Sequence, residues 1–387
     1  MLRGIGQRAE GVAGLSSEQV RAAVMAEPEK PIEVREFPPP KVEPGGVLLR
    51  TLYSEVCGTD VHLYHGRLAG VPYPIIPGHV SVGIVEEVIP LAAGQEVVTP
   101  VGQLVRRGDL VTFLDVHETC GRCWTCLVAK AATRCPQRRV YGITYSATEG
   151  LLGGWSEKIY LKPGVLIMHL PEGLSPEKFI AGGCGLPTGF HAVERAGIRL
   201  GDTVVVQGSG PVGLSACFFT RLAGARQVIV IGTPQPRLEM ALSLGADEAV
   251  DLHEYPSPEA RVDRIRHLTA GRGADVTIEA SGAPGAVAEG MRMTRDAGTY
   301  VVVGQYTDHG PVEINPHLDI NRKHLDIRGC WGTEFTHLYR ATDLLTARGH
   351  DAPYEKAISR FYSLEECQQA LLDVEHLQVI KAVIKPQ

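Results

Sequence analysis

The sequence predicts an α/β protein in two parts, a β-rich domain followed by a doubly wound parallel sheet. Three observations predict it. Between Asp202 and Gly304, short and fully apolar runs alternate with amphipathic segments of helical period, the pattern of parallel strands buried on both faces. Between about Arg21 and Val165, β-rich runs are instead punctuated by Pro and Gly, as in a compact, partly barrel-like β domain. Glycine is also in excess, 44 of 387 residues against a usual ~7%, which implies tight turns or close approach of backbone to a ligand.

In the first part, GGVLLRTLYSEV, HVSVGIVEEV, GDLVTFLDV and GGWSEKIYLKP read as strands. The pattern changes near Ser175, where SPEKFIAGGCGLPTGFHAVERAG reads as helical, with Ser175 as N-cap and Pro176 in the first turn. Strands then follow in DTVVVQG, QVIVIG, DEAVDL, GADVTIEA and TYVVVG. The helices between them are GLSACFFTRLAGA, PRLEMALSLGA, RVDRIRHLTAG and GAVAEGMRMTRDAG. The remainder, Glu334 to Gln387, holds one or two helices and a closing strand in QVIKAVIKP, and is expected to pack back on the first part. The expected division is an N-terminal extension over 1–20, a β-rich domain over 21–185 rejoined by 334–387, and the parallel-sheet domain over 186–333. No internal repeat and no low-complexity tract interrupts it.

Net charge is −6 and the pI about 6.2, which argues against nucleic acid as a partner, since that recognition favours a basic patch. No window approaches the ~18 apolar residues of a membrane span, so no membrane partner is expected. The opening MLRGIGQRAEGVAGLSSEQVRAAVM lacks the apolar segment and cleavage site of a secretory signal. Nine cysteines without such a signal point to thiols or metal ligands in a reducing, cytoplasmic setting.

The string VVVQGSGPVG places Gly208, Gly210 and Gly213 in G-x-G-x-x-G spacing, directly after a buried-type strand and at the opening of a helix. Gly208 allows the tight turn, Gly210 lets backbone approach a pyrophosphate, and Gly213 lets helix and strand pack closely. The pyrophosphate then sits at the helix N-terminus, where free N–H groups favour negative charge. A ligand-free glycine turn is the plainer reading of the spacing alone, and the flanking strand, helix and second strand outweigh it. Ser209, Pro211 and Val212 in the loop and Thr188 in the preceding helix complete the candidate cofactor contacts. The next strand ends at Gly232–Thr233, where an NAD site usually carries Asp or Glu for the ribose 2′-OH. Loss of that carboxylate removes repulsion of a 2′-phosphate. Thr233 and Arg237 could bind one, although Arg237 is more simply a helix-surface residue, and both NAD and NADP stay open.

Four cysteines fall in CGRCWTCLVAKAATRC. Spaced C-x2-C-x2-C-x8-C, Cys120, Cys123, Cys126 and Cys135 complete a tetrahedral zinc shell with no open position, the structural kind of site. By count, a disulfide pair or an iron–sulfur cluster is also open. Cys57 in SEVCGTDVHLYHG, His79 in PIIPGHVSVGIVEEV and Cys184 in AGGCGLPTGFHAV lie far apart. Each alone is better explained as a core thiol or a turn residue. Together, two thiolates and an imidazole make an open three-ligand zinc site with a fourth position for water or substrate. Cys217, Cys330 and Cys367 are most simply packing residues.

CGTDVHLYHG, PGHVSVGIVEEV, the four-cysteine loop, AGGCGLPTGFHAV and GSGPVG stand in the order found in zinc-dependent medium-chain alcohol dehydrogenases, which the chain resembles from about Arg21 to its end. The resemblance implies a GroES-like catalytic domain joined to a Rossmann cofactor domain. It implies that Cys57, His79 and Cys184 hold a catalytic zinc and that the four-cysteine loop holds a structural one. Thr59 would hydrogen-bond the alcohol and begin a proton relay, and His62 would pass the proton to solvent through the cofactor ribose. Asp60 would orient the His79 ring, a role metal-bound histidines generally need filled. A homodimer or homotetramer is implied, acting on a small-molecule alcohol or carbonyl compound.

Two departures from the family pattern stand out. The family commonly has Glu after the Gly-His pair, and here the residue is Val80, which removes an alternate ligand and favours Cys184 as the third. Glu157 could stand in for it, but a strand-edge surface carboxylate is the simpler reading. The last gap of the cysteine loop is eight residues where the family usually has seven.

The expected activity is reversible, NAD(P)-linked oxidation of a secondary or primary alcohol or polyol to ketone or aldehyde. One rival is a zinc-independent reductase of activated C=C or C=O bonds on the same fold, whose activity would survive chelation. The other is a non-catalytic, zinc-ribbon-like binding module, for which RCPQRR (134–139) is the one basic cluster. Pocket walls are expected near Thr59, Trp155 and Cys330–Trp331.

Overall fold

The apolar runs of the second half pair into one six-stranded sheet in the computed structural model, which describes residues 19–387. The strand order is Glu248–Asp251, Gln227–Gly232, Thr203–Gln207, Ala274–Glu279, Thr294–Val302, Asp326–Gly329, and every pairing is parallel. Val204, Val206, Val228, Val230, Ile278 and Val301 are buried, each such side chain contributing roughly 1.5–3 kcal/mol. The order reverses at Thr203–Gln207, which opens a crevice at the carboxyl ends of that strand and of Ala274–Glu279. The sequence pattern predicts five of these strands. The sixth, Asp326–Gly329, is a mostly exposed edge strand with a single large apolar residue, Ile327, so it carries no apolar run to announce it.

The first half forms a seven-stranded sheet in the order Ile358–Tyr362, Lys381–Ile384, Val47–Val56, Ser81–Val88, Leu110–Phe113, Ile167–His169, with Lys158–Leu161 also paired to Val47–Val56. All pairings are antiparallel except that between Ile358–Tyr362 and Lys381–Ile384. Two of these strands belong to the C-terminal segment, so the chain ends in the sheet built by its first half. Residues 1–18, most of the expected N-terminal extension, lie outside the described residues. Among the described residues no helix is long and apolar enough to cross a membrane.

The stretch from Ser175 departs from its pattern. Ser175 caps as predicted, accepting the Lys178 N–H at 3.1 Å, but two helices form, Pro176–Gly182 and Gly185–Ala196. They part at Gly183, whose φ is +50°. A Cβ there would run into the Glu55 carboxylate and lie 2.6 Å from Lys381 Nζ, so glycine is required on both counts. That break presents Cys184 to the end of the Val47–Val56 strand.

Candidate active site and metal centres

Cys57 ends the Val47–Val56 strand and caps the helix Gly58–Tyr64. Its Sγ accepts the Thr59 N–H at 3.3 Å, and Asp60 Oδ2 accepts the Cys57 N–H at 2.9 Å. This capping box gives one Asp60 oxygen a role that the sequence did not suggest. The third residue of a short helix turns its carboxylate back onto the cap, and no hydrogen bond joins it to His79. Asp60 Oδ1 and His79 Nδ1 are both buried without a hydrogen-bond partner. Burial, reinforced by the nearby Cys57 sulfur, pushes the Asp60 carboxyl well above the usual carboxylate range.

His79 follows Gly78, where φ is +88° and a Cβ would meet the Trp155 backbone at 2.9 Å. Its imidazole is 5% exposed, and Nε2 lies 3.6 Å from Glu55 Oε1. Cys184 donates its N–H to the same Glu55 oxygen at 2.8 Å. Ligand atoms of Cys57, His79, Cys184 and Glu55 all lie within 4.8 Å of one another. The Cys184 thiol, and then the His79 ring, favour the thiolate of Cys57 and hold it well below the usual thiol range against the opposing effect of burial. Two sulfurs, one nitrogen and one oxygen in a buried cluster are a borderline-soft donor set that fits zinc.

Sequence reasoning missed Glu55 and its partner Lys381. Glu55 lies two residues before Cys57, and a charged residue inside an otherwise buried strand end was the one signal available. Lys381 is 326 positions away and had none. Val80 stands beside this pair: its carbonyl accepts the Glu55 N–H at 3.1 Å. The carboxylate absent after His79 is therefore present on the neighbouring strand. Glu157 is not part of the cluster, and its Oε1 pairs with Arg21 Nε at 2.8 Å.

The four-cysteine loop is closed at its base by pairing of Val116–His117 with Arg139–Val140. The Sγ atoms of Cys123 and Cys126 are 3.4 Å apart, those of Cys135 and Cys120 3.7 Å, and all four lie within 4.8 Å of one another. All nine cysteines are free of disulfides. The Thr125 hydroxyl, with backbone N–H groups, draws Cys123 down to about 6, as suits a thiolate ligand. Four sulfurs in one cluster fit a second, closed zinc site.

A cavity of ≈ 570 Å³ joins the cluster of Cys57, His79 and Cys184 to the crevice of the parallel sheet. Cys57, Thr59, His62, His79, Cys184 and Thr188 line it, as do Gly210, Pro211, Val212 and Arg237. Gly208 and Gly213 form the turn behind them, with Gly208 at φ +109° against the Ala280 backbone. Ser209 accepts the Thr233 N–H at 3.2 Å and fills the space beside Gly232. Arg237 is buried rather than on the helix surface, donating to the Val379 carbonyl at 2.8 Å. Ala280–Ala283 and Gly304, at the carboxyl ends of two further strands, complete the cofactor side; the position of those strand ends was the signal that could have found them.

His62 Nδ1 is buried without a partner, and burial, with Arg67 and His309 nearby, holds the ring below the usual imidazole range. Phe113, Leu114, Val116, Val140 and Leu338 add apolar surface to the cavity lining, which also includes Asp115 and Arg138. Trp331 also lines the cavity, stacked on Tyr306 at 5.9 Å, with Arg134 and Arg138 at 4.5 and 5.0 Å from its ring centroid. Two arginines of RCPQRR thus pack on Trp331, and the third, Arg139, pairs with Glu149 at 2.7 Å. Trp155, by contrast, is fully buried core: its Nε1 donates to the Glu55 carbonyl at 3.0 Å.

Residues 43–172 match the family model described as alcohol dehydrogenase GroES-like domain, and 211–347 match that described as zinc-binding dehydrogenase. A 5-exo-hydroxycamphor dehydrogenase from Pseudomonas putida is 34% identical over 95% of this chain and 99% of its own length. An alcohol dehydrogenase from Thermotoga maritima has a similar structure, with a TM-score of 0.89 and 31% identity over 96% of this chain and 100% of its own. A zinc-binding dehydrogenase from Sinorhizobium meliloti, solved bound to NADP, has a TM-score of 0.81 and 27% identity over 95% of this chain and 100% of its own.

Proposed function

Because the chain belongs to the zinc-binding medium-chain alcohol dehydrogenases, we propose that it oxidises a secondary alcohol carried on a bulky apolar framework, reversibly, with NAD or NADP. The observation that carries this reading is the convergence of Cys57, His79 and Cys184 on one cavity with the glycine loop. Cys57, His79 and Cys184 hold the catalytic metal. When bound, zinc supplies a Lewis acid for the alcohol oxygen and nicotinamide supplies a hydride acceptor. Thr59, beside Cys57 in the cavity, positions the substrate hydroxyl and takes its proton. His62, neutral near pH 7 because of its burial, accepts that proton further along. The backbone at Gly210–Val212 receives the pyrophosphate at the helix N-terminus, which orients the cofactor against the substrate carbon.

The apolar lining residues Phe113, Val116, Val140 and Leu338 support a hydrocarbon-rich substrate over a polyol, in keeping with the ring alcohol in the name of the Pseudomonas putida relative. The sheet composition supports a catalytic domain of 21–185 with 334–387 and a cofactor domain of 186–333. A panel of bicyclic alcohols, linear alcohols and polyols, assayed with NAD and NADP side by side, tests the reading. Turnover confined to polyols, or turnover that survives removal of the metal by chelation, would overturn it.

A further inference from the structure

Glu55 and Lys381 form an ion pair from which water is shut out, with side chains 0% and 1% exposed. Such a pair persists only when both charges are matched and the remaining lone pairs are satisfied. Glu55 divides its oxygens: Oε2 takes the Lys381 ammonium, while Oε1 accepts the Cys184 N–H and faces His79 Nε2. A simple counter-ion for Lys381 has no need to stand among the donor atoms of Cys57, His79 and Cys184, all within 4.8 Å. Three separate features hold it there: the bond from Trp155 to its carbonyl, the helix break at Gly183, and the C-terminal strand that delivers Lys381.

We propose that Glu55 is a fourth protein ligand of the catalytic metal and that Lys381 competes with the metal for it. Charge supports the arrangement. Two thiolates neutralise a divalent cation, and the extra negative charge of a bound carboxylate is cancelled by the buried ammonium. Drawn to Lys381, Glu55 leaves a coordination position free for substrate; turned to the metal, it closes that position. The inference rests on the metal reading of Cys57, His79 and Cys184 given above.

The test is cobalt(II) substitution of the full chain, read by visible ligand-field absorption and by chelator competition for the metal. The four-cysteine site provides an unchanging internal reference. Glu55→Gln keeps an oxygen for the Cys184 N–H and should shift the bands of the catalytic site and weaken its cobalt affinity at least about tenfold. Lys381→Met frees the carboxylate and should weaken binding of added imidazole to the cobalt by a similar factor while the cobalt is retained. Should either single variant fail to fold, Glu55→Gln combined with Lys381→Met removes both charges together and should reproduce the affinity loss. Bands and affinity in Glu55→Gln, or in the double variant, identical to those of the unmodified protein would overturn the proposal. Band shifts in a protein that oxidises no alcohol would uphold it and sink the activity reading instead, whereas an active enzyme with unmoved bands would sink this proposal alone.

Discussion

The four-cysteine loop draws all its sulfurs from residues 120–135, whereas Cys57, His79 and Cys184 arrive from a strand end, a glycine turn and a helix break. The first cluster is held by one hairpin base, and three of its cysteines keep some solvent exposure. The second is buried beside an ion pair and opens on the main cavity. A site assembled within one loop needs only its own turns to form, and four thiolates saturate it. A site assembled across the fold can leave one position for a ligand, because the surrounding packing and not a fourth sulfur holds its geometry.

The largest expected effect comes from the dispersed centre. His79→Ala or Cys57→Ser should lower turnover by about 10³-fold or more, the equivalent of several kcal/mol of metal assistance. Elemental analysis should show one of two zinc equivalents lost, and circular dichroism an intact fold. Normal turnover with a single remaining equivalent would erase the distinction between the clusters. Cys123→Ser should do the opposite: the other equivalent is lost and Tm falls by several degrees, at ~1 kcal/mol per about 2–4 °C, while kcat of the surviving enzyme holds. Turnover falling as far as in His79→Ala, with Tm unmoved, would show the loop to be catalytic.

His62→Gln should cost about 10²-fold at neutral pH, within the usual range for a proton-transfer group. Since burial lowers the His62 pKa below its ordinary 6.5, the ring stays neutral at pH 7 and the acid limb of the normal enzyme should fall below pH 6.5. The deficit of the variant should shrink as pH rises and solvent hydroxide takes over; a deficit constant across pH would remove His62 from the relay. The smallest effect is expected at the cofactor end. Gly232→Asp should weaken NADP use by roughly tenfold, or ~1.4 kcal/mol, by placing a carboxylate against a 2′-phosphate. Its side chain must displace Ser209 Oγ, so Gly232→Asp with Ser209→Gly separates repulsion from crowding. Unchanged KM values for both cofactors would place the 2′-position elsewhere.

Much of this was readable in advance where neighbours in the chain are neighbours in space. The glycine turn, the five apolar strands and the cysteine spacing follow from local backbone geometry and hydrophobic period. The edge strands Asp326–Gly329 and Ile358–Tyr362 were not, since exposed strands carry no apolar run. Arg237 looked like a surface residue by its helical position and is buried by the C-terminal segment, whose Val379 carbonyl it meets. Trp155 looked equally suited to a pocket wall and is core.

The sequence by itself determined the order of elements, the dinucleotide turn and the closed sulfur cluster, because each is specified by a few consecutive residues. Only the tertiary structure decided that Asp60 Oδ2 caps Cys57, and that Glu55 stands among the donor atoms of Cys57, His79 and Cys184. It also decided that Lys381, from the C-terminal strand, pairs with that carboxylate. Those outcomes depend on which strand ends meet in a dry interior, where an unmatched charge or a misplaced Cβ is too costly to survive, and no short stretch of sequence records that meeting.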